Sequence, residues 1–399
     1  MKRYKLKNGL TLLVDPRQSN AVALGILIKV GSNDEKPKER GIAHFMEHML
    51  FEGTKTKSSQ ELTAVIEGVG GESNAITTNE KTFVYAVVPK KHFSRTLETL
   101  ADIFINSTFL PKSFQKEKGV IHDEIKMLHD DPKAFQWILF LETLFKKNRI
   151  RLPVYGDLKI IRNLKRDALL SFYKKYYSSK NIIVSVAGNV KNIKSLVEKQ
   201  FSSLNSSPVS RWKNPVEIKH TKLESKKKVH KTNQTYFLLG YKTPPAKHKD
   251  APVLDVVRAI LDRGQSSRLF DEIRSKRGLA YAVGAAHEDA LTYGYFVVSV
   301  ITNKKNVPRV RRVVLEQLQL PSLSQKELDE AKQYLEGSLI LSNEDNLERV
   351  ERNAVCEFLG RDHKKYMAAL KRVSLADVRR VVKKYFHKHF TETIIEQKD

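Results

Sequence analysis

The sequence is almost free of cysteine, and Cys356 is the only one among 399 residues. A single cysteine excludes an intrachain disulfide. It also excludes a metal site built from several thiolates. The apolar content of 41% is that of a globular protein, and a reducing compartment fits this composition.

Long apolar runs are also missing, and none reaches the length that a membrane-spanning helix needs. The first residues, MKRYKLKNGLTLLVD, enter an alternating pattern typical of a strand. They contain neither the apolar segment of a signal peptide nor an Arg/Ser-rich transit segment. We therefore expect no membrane association and predict a cytoplasmic protein.

Acidic residues are scarce relative to basic ones, which gives a formal net charge of +26. Such a charge is compatible with nucleic acid, an anionic membrane or an acidic substrate, or with a compositional habit of the lineage. The lysines and arginines are widely spread, and no nucleic-acid-binding motif accompanies them. We predict that nucleic acid is not the primary partner, and the meaning of the charge stays open.

The most informative stretch runs from Gly41 to Thr54 and reads GIAHFMEHMLFEGT. Its apolar residues suit a buried helix. On such a helix His44 and His48 are four residues apart, so both imidazoles project from one face and can reach one metal ion. Glu47 lies on nearly the same face, where its carboxylate can take a proton from a water that the metal activates.

This H-x-x-E-H order is the inverse of the commoner H-E-x-x-H zinc motif. A catalytic zinc usually has three protein ligands and one open position. The third ligand must come from elsewhere in the chain, and a carboxylate is the expected type. The alternative is that both histidines are structural residues of an amphipathic helix.

Periodicity predicts helices and strands from the start of the chain to a helix that begins at about residue 251. Strands are predicted at residues 3–15 (a hairpin with an Asn8-Gly9 turn), 21–30, 72–77, 82–88, 181–190 and 236–241. Besides the metal helix, helices are predicted at residues 58–67, 92–105, 113–128, 132–145, 167–177 and 193–204, and from about residue 251. In the helix at 113–128, Glu117 and Glu124 are two turns apart on the same face.

A polar, lysine-rich stretch divides the chain into two halves that look like copies. At one constant shift Gly70 aligns with Gly278, and His48 aligns with Val256, so the second copy carries no metal motif. We predict an N-terminal metal-binding domain (1–208), a linker (209–232) and a substrate-holding C-terminal domain (233–399). The expected class is α+β, with two homologous α/β domains that each contain a mostly antiparallel sheet packed with helices.

The chain resembles the pitrilysin/insulinase family of zinc peptidases, and in particular its shorter members similar to the mitochondrial processing peptidase. The resemblance covers nearly the whole chain. It rests on motifs in the family's order: NGLTLLVD, ERGIAHFMEHMLFEGT, GGESNAITTNEKTFVY, the helix with two glutamates, NIIVSVAGN and SSRLFDEIRSKRGLAYAV. It implies a clam-like arrangement of the two domains.

The resemblance also implies a catalytic centre with one zinc ion per chain. Glu124 matches the family's third ligand, beside His44 and His48. Glu117 matches a second family carboxylate that supports the metal helix, with a solvated helix face as the alternative for this residue. Glu47 would act as the general base.

Further residues are implied to bind the peptide. In the family, the strand after the paired glycines pairs with the substrate backbone, which here involves Asn74, Ala75 and Thr77. Arg274 and Tyr281 match a family pair that reaches the bound peptide carbonyl. Without the family, these residues would be interpreted as an ordinary strand and as surface and core residues.

The implied function is that of a zinc-dependent endopeptidase that hydrolyses peptides or short unfolded polypeptides. For a chain of this length, the resemblance implies a dimer, either a homodimer or a heterodimer with a metal-free relative. The competing hypotheses are a non-catalytic scaffold subunit, a slow peptide-binding module and a basic nucleic-acid-binding protein.

Overall fold

The computed structural model describes residues 1–218 and 221–397. Two compact units make up the chain. The first contains Met1–Ile125, Pro153–Lys213 and Leu341–Phe358, and the second contains Lys126–Leu152, Asn214–Ile340 and Leu359–Asp399. Each unit thus takes one segment from the other half of the sequence. The predicted domain boundaries at residues 208 and 233 stay a prediction.

The strands form one sheet in each unit. In chain order they are β1 (Lys2–Lys5), β2 (Thr11–Pro16), β3 (Ala21–Ile28), β4 (Glu72–Thr77), β5 (Thr82–Pro89), β6 (Ile182–Gly188), β7 (Glu224–His230), β8 (Thr235–Lys242), β9 (Ala280–Asp289), β10 (Gly294–Thr302) and β11 (Thr391–Gln397).

Helices cover these sheets. In chain order they are α1 (Ile42–Leu50), α2 (Ser59–Glu67), α3 (Phe93–Asn106), α4 (Pro111–Asp130), α5 (Pro132–Leu144), α6 (Leu158–Asn163), α7 (Arg166–Tyr176), α8 (Ile193–Gln200), α9 (Ala251–Leu261), α10 (Val307–Leu318), α11 (Gln325–Ser342), α12 (Asn346–Leu359), α13 (His363–Arg372) and α14 (Leu375–Tyr385). Within the described residues, no helix is both long and apolar enough to cross a bilayer.

The two sheets share a five-strand topology, and the first has β1 as an additional edge strand. The first has the order β1-β2-β6-β3-β5-β4 and the second β7-β11-β8-β10-β9. In the first, β2 and β6 pair in parallel, as β7 and β11 do in the second, and every other pairing is antiparallel. The prediction of two similar α/β domains with mostly antiparallel sheets is confirmed.

Backbone conformation supports the internal repeat. Gly70 ends the turn after α2 with a φ of 73°, and Gly278 has a φ of 57°. Both values lie in the left-handed region that favours glycine, so the two aligned glycines meet the same conformational demand. The helices α1 and α9 each contact the edge strand of their own sheet, β4 and β9 respectively.

The predicted linker contains the strand β7, which the sequence analysis did not predict. Its sequence, ESKKKVH, contains three successive lysines and is mostly exposed. Lysines are common on edge strands, where they discourage pairing with other chains. A solvated linker has a similar composition, which is why the sequence analysis did not predict this strand.

Two helices, α5 and α12, each pack against a sheet whose strands come from the other half of the sequence. In the first unit, Val350 of α12 lies against β3, where a Cβ on Gly25 would come within 2.5 Å of the valine methyl. In the second unit, Phe140 of α5 lies against β8, where a Cβ on Gly240 would come within 2.6 Å of the ring. Each glycine therefore permits a close helix–sheet approach.

Candidate metal centre and active site

The helix α1 is fixed by its apolar side and by its first turn. Its apolar residues, among them Phe45 and Met46, are completely buried. Gly41 precedes the helix with a φ of 93°. The carboxylate of Glu35 accepts hydrogen bonds from the backbone N–H groups of Gly41 and Ala43, both at 2.9 Å. An acidic group at this end satisfies free N–H donors and suits the helix dipole.

The opposite side of α1 brings its two histidines to a carboxylate of α4. Glu124 Oε1 lies 3.6 Å from His44 Nε2, and Glu124 Oε2 lies 3.5 Å from His48 Nε2. One ligand atom from each of the three residues lies within 4.8 Å of the others. The structure thus brings together the three residues predicted to bind zinc.

These residues fit a catalytic zinc ion. Two imidazoles and one carboxylate are a ligand set that zinc uses when a fourth position stays open. Glu124 Oε2 is buried and has no hydrogen-bond partner among the described residues. A buried carboxylate oxygen without a partner is costly, and a cation between the three groups would satisfy it.

Glu117 contacts the same centre from one side. Its Oε2 lies 3.0 Å from His48 Nδ1, and its side chain is only 7% exposed. This contact leaves Nε2 of His48 facing Glu124. A carboxylate on the second nitrogen fixes the tautomer and the orientation of a metal-binding imidazole.

The two histidines differ in the direction in which their surroundings shift the pKa. Burial lowers the pKa of His44 to about 4, although Glu124 opposes this change. Burial also disfavours the charged form of His48, but the hydrogen bond to Glu117 and the nearby Glu124 carboxylate outweigh burial and raise the pKa of His48 to about 9. The hydrogen bond from His48 keeps the pKa of Glu117 below its usual range, and the nearby His48 imidazole does the same for Glu124.

Glu47 has a different environment. Burial raises the pKa of its carboxyl group, while the hydrogen bond from Thr77 opposes the change. The Thr77 hydroxyl donates to Glu47 Oε2. A carboxylate with a raised pKa is better suited to accept a proton near neutral pH. The contact with Thr77 was not predicted, because threonine in a strand carries no sequence signal for it.

The predicted substrate strand is β4, at the edge of the first sheet. Its residues alternate between exposed and half-buried, and Asn74 is exposed while Ala75 and Thr77 are half-buried. The Asn74 side chain accepts a hydrogen bond from the backbone N–H of Ala75 at 2.8 Å. An edge strand presents backbone groups to which an extended peptide can add.

Arg274 and Tyr281 lie together in the second unit. Arg274 belongs to the π-helical turn Phe270–Ser275, and Tyr281 belongs to β9, the edge strand of the second sheet. The Arg274 guanidinium lies 5.9 Å from the centre of the Tyr281 ring, and Tyr281 is 75% exposed. The pair is therefore accessible, and its predicted contact with a bound peptide stays a prediction.

Comparison with known proteins agrees with this geometry. A family model described as "Insulinase (Peptidase family M16)" matches residues 10–158. A second model, described as "Peptidase M16 inactive domain", matches residues 163–335. The chain belongs to peptidase family M16. The predicted membership of the pitrilysin/insulinase family is confirmed.

Members of family M16 from several bacteria are similar over most of the chain. The "Uncharacterized zinc protease YmxG" of Bacillus subtilis is 32% identical over 387 residues, covering 96% of this chain and 94% of that protein. An "Uncharacterized zinc protease" of Rickettsia bellii is 33% identical over 346 residues, covering 85% of this chain and 83% of that protein. The names of these M16 relatives indicate a zinc protease.

Solved M16 structures share the fold. The crystal structure of a protease from Helicobacter pylori matches with a TM-score of 0.93 and 25% identity, covering 99% of each chain. A peptidase M16 inactive domain from Pseudomonas fluorescens matches with a TM-score of 0.90 and 18% identity, covering 100% of this chain and 98% of that one. The second similarity concerns the fold alone.

Proposed function

We propose that this M16 protein is a zinc-dependent endopeptidase that hydrolyses peptides or short unfolded polypeptides. The proposal rests above all on one observation. His44, His48 and Glu124 present three ligand atoms within 4.8 Å of one another, and Glu47 lies on the same helix as the two histidines. The names of the M16 relatives support zinc as the metal.

The protein residues divide the work of hydrolysis. His44, His48 and Glu124 would hold one zinc ion per chain, and Glu117 orients His48. When bound, zinc supplies Lewis-acid chemistry: it polarises the scissile carbonyl and lowers the pKa of the attacking water. Glu47 would take a proton from that water while the water oxygen bonds to the carbonyl carbon. Glu47 would then deliver this proton to the amide nitrogen when the C–N bond breaks.

The remaining predicted residues would hold the peptide. An extended substrate would add to the free edge of β4, where backbone hydrogen bonds bind it with little dependence on its side chains. Arg274 and Tyr281 would bind or stabilise the substrate carbonyl. Backbone recognition of this kind favours unfolded segments over folded proteins.

Glu47→Gln tests the role of the proposed base. The substitution keeps the size of the side chain and removes its ability to accept a proton. We expect zinc content to stay unchanged and hydrolysis of a quenched fluorescent peptide to fall by at least about a hundredfold. Glu67→Gln, which changes an exposed glutamate at the end of α2, is the matched control and should keep full activity. Substantial activity in Glu47→Gln would remove Glu47 from the mechanism.

We propose a homodimer as the working assembly, because the chain carries both the predicted zinc ligands and the Arg274/Tyr281 pair. A heterodimer with a metal-free relative is the other arrangement that the family resemblance implies. Size-exclusion chromatography with light scattering should give twice the chain mass of 45.7 kDa. A stable and active monomer would contradict the dimer. The cytoplasmic location also stays a prediction.

A further inference from the structure

The first unit contains a cavity of about 440 Å³ that the proposed peptidase chemistry does not use. It lies between the first two turns of α4, the end of α6 and the start of α7. None of the predicted zinc, catalytic or substrate-binding residues lines it. Four of its lining side chains are cations, namely Lys118, Arg162, Lys165 and Arg166, and none is acidic.

Two of the four cations are held in place by backbone carbonyl groups. Lys118 Nζ donates to the carbonyl oxygen of Arg162 at 3.0 Å, at the end of α6. Arg166 donates from Nε to the carbonyl of Phe109 and from Nη2 to that of Thr108. Both side chains are half-buried. Because the acceptors are neutral, these bonds fix the position of each positive charge without cancelling it.

The other two cations, Arg162 and Lys165, are exposed. Within residues 1–218 and 221–397, neither of their side chains has a hydrogen bond or an ion pair. Lys118 and Arg166 likewise contact no carboxylate in that part of the chain. A concave surface lined by charges of one sign concentrates their field, so this cavity attracts an anion more strongly than a flat surface with the same charges would.

Acidic residues on neighbouring elements do not balance these cations. Three of them have partners elsewhere, with Glu117 against His48, Glu39 against Lys36 and Asp157 against the first backbone N–H groups of α6. Asp167, next to Arg166 at the start of α7, is the only acidic residue of that helix. Four cations less this one carboxylate still leave three positive charges at the cavity.

The half-buried lysine would gain most from an anion. Burial lowers the pKa of Lys118, and its ammonium lies 5.0 Å from the centre of the Phe114 ring. A partly desolvated ammonium without a counter-charge is costly, and an anion in the cavity would offset that cost. The side-chain amide of Gln115, which also lines the cavity, adds a neutral hydrogen-bond donor.

We propose that this cavity binds a small molecule that carries a diphosphate group. Two phosphate groups carry about three to four negative charges in one compact unit, which matches the excess positive charge of the lining. Their oxygens accept hydrogen bonds from the arginine guanidinium groups and the lysine ammonium groups. Free diphosphate and a nucleoside diphosphate share this chemistry. The proposal concerns a site separate from the zinc ligands and does not depend on peptidase activity.

Calorimetric titration of the full-length chain tests the proposal, with inorganic pyrophosphate as the probe. Inorganic phosphate has half of the anionic unit, and tricarballylate carries a similar charge on three carboxylates. We expect pyrophosphate to bind at least about tenfold more tightly than either, because it can make more charge-assisted hydrogen bonds within one compact group. Titration with ADP distinguishes the sources: tighter binding than pyrophosphate indicates a nucleotide, and weaker binding indicates free diphosphate.

Two double variants locate the binding to this cavity. Arg162→Gln/Lys165→Gln removes the two exposed cations, whose side chains have no partner in the described part of the chain, so the thermal unfolding midpoint should not change. We expect this variant to bind pyrophosphate at least about tenfold more weakly than the wild type. Lys174→Gln/Lys191→Gln removes the same number of charges from exposed positions outside the cavity lining, and should bind like the wild type.

Three results would overturn the proposal. They are the absence of binding at millimolar pyrophosphate, equal binding of pyrophosphate and either comparison anion, and equal affinity of the two double variants. The last result would mean that pyrophosphate binds at the zinc ligands or through the net charge of +26, because neither kind of binding depends on Arg162 and Lys165 in particular.

Discussion

At the residue scale, the candidate centre depends on side chains with well-defined partners. Glu124 faces both histidines of α1, and Glu117 contacts His48 from the other side. The H-x-x-E-H spacing was sufficient to predict that the two histidines and Glu47 share a face. Glu35 and the contact of Thr77 with Glu47 could not be predicted, because an acid in a polar loop and a threonine in a strand have many ordinary roles.

Glu117→Gln should weaken zinc binding without abolishing it. The amide of the glutamine side chain can still contact His48 Nδ1, but it lacks the negative charge with which the Glu117 carboxylate makes the imidazole a better ligand. Changes of this kind typically cost about 10- to 100-fold in metal affinity. Competition with a chromophoric zinc chelator measures the change. Affinity equal to that of the wild type would show that Glu117 has no role in supporting the metal.

Glu217→Gln should lower stability in a pH-dependent way. Burial alone would raise the pKa of Glu217, but backbone N–H groups of residues 146–148 and the Lys242 ammonium outweigh it and lower the pKa to about 2. A folded-state pKa below the unfolded value of 4.5 gives stability that is present above pH 4.5 and lost as the pH falls towards 2.

For this half-buried ion pair, whose charges solvent partly screens, the lowered pKa corresponds to about 2–3 kcal/mol at pH 7. The thermal unfolding midpoint of Glu217→Gln should therefore lie several degrees below that of the wild type at pH 7, and the two should converge as the pH falls below 4.5. A difference that stays constant between pH 7 and pH 3 would contradict the charge argument.

At the element scale, most helices and strands as far as α9 could be predicted because their apolar periodicities are long and clear, whereas no bounds were predicted for β9–β11 and α10–α14. The metal helix, the hairpin at the start of the chain and β4 all lie where the sequence placed them. The strand β7 was missed because its lysines suit an exposed edge as well as they suit a linker. It could not be predicted which sheet α5 and α12 would cover. Amphipathicity shows that one face of a helix is buried, but it does not identify the element against which that face packs.

Gly25→Ala tests the close packing of α12 on β3. A Cβ at this position meets the Val350 methyl and the Phe83 ring at less than 3.0 Å. We expect a loss of about 1–3 kcal/mol from overpacking. Chemical denaturation measures the loss, and Gly119→Ala, where a Cβ meets nothing within 4 Å, is the control. A fully stable Gly25→Ala protein would show that the helix can move away at no cost.

At the scale of the whole molecule, two units whose sheets share a five-strand topology differ in the residues that could bind a metal ion. The proposed zinc ligands lie on α1 and α4 of the first unit, whereas the corresponding helix α9 of the second contains no histidine. The internal repeat predicted this asymmetry. It did not predict that each unit includes a segment from the other half of the sequence.

A fragment of residues 1–208 should therefore fold poorly. It lacks α12, whose residues Val350 and Ala354 are completely buried in the intact chain. Loss of this helix would expose the apolar residues of the first unit against which it packs. We expect the fragment to bind a hydrophobic dye and to be degraded by protease faster than the intact chain. A stable, protease-resistant fragment would show that α12 is dispensable.

Zinc content per chain tests the central claim most directly. Elemental analysis should find about one zinc in the wild type and a marked fall in Glu124→Ala, which removes the carboxylate between the two histidines. Asp123→Ala, which changes the exposed neighbour of Glu124, should keep the zinc content of the wild type. A wild-type protein that holds no zinc after chelation and reloading would contradict the peptidase proposal, and the M16 fold would then serve as a scaffold without metal.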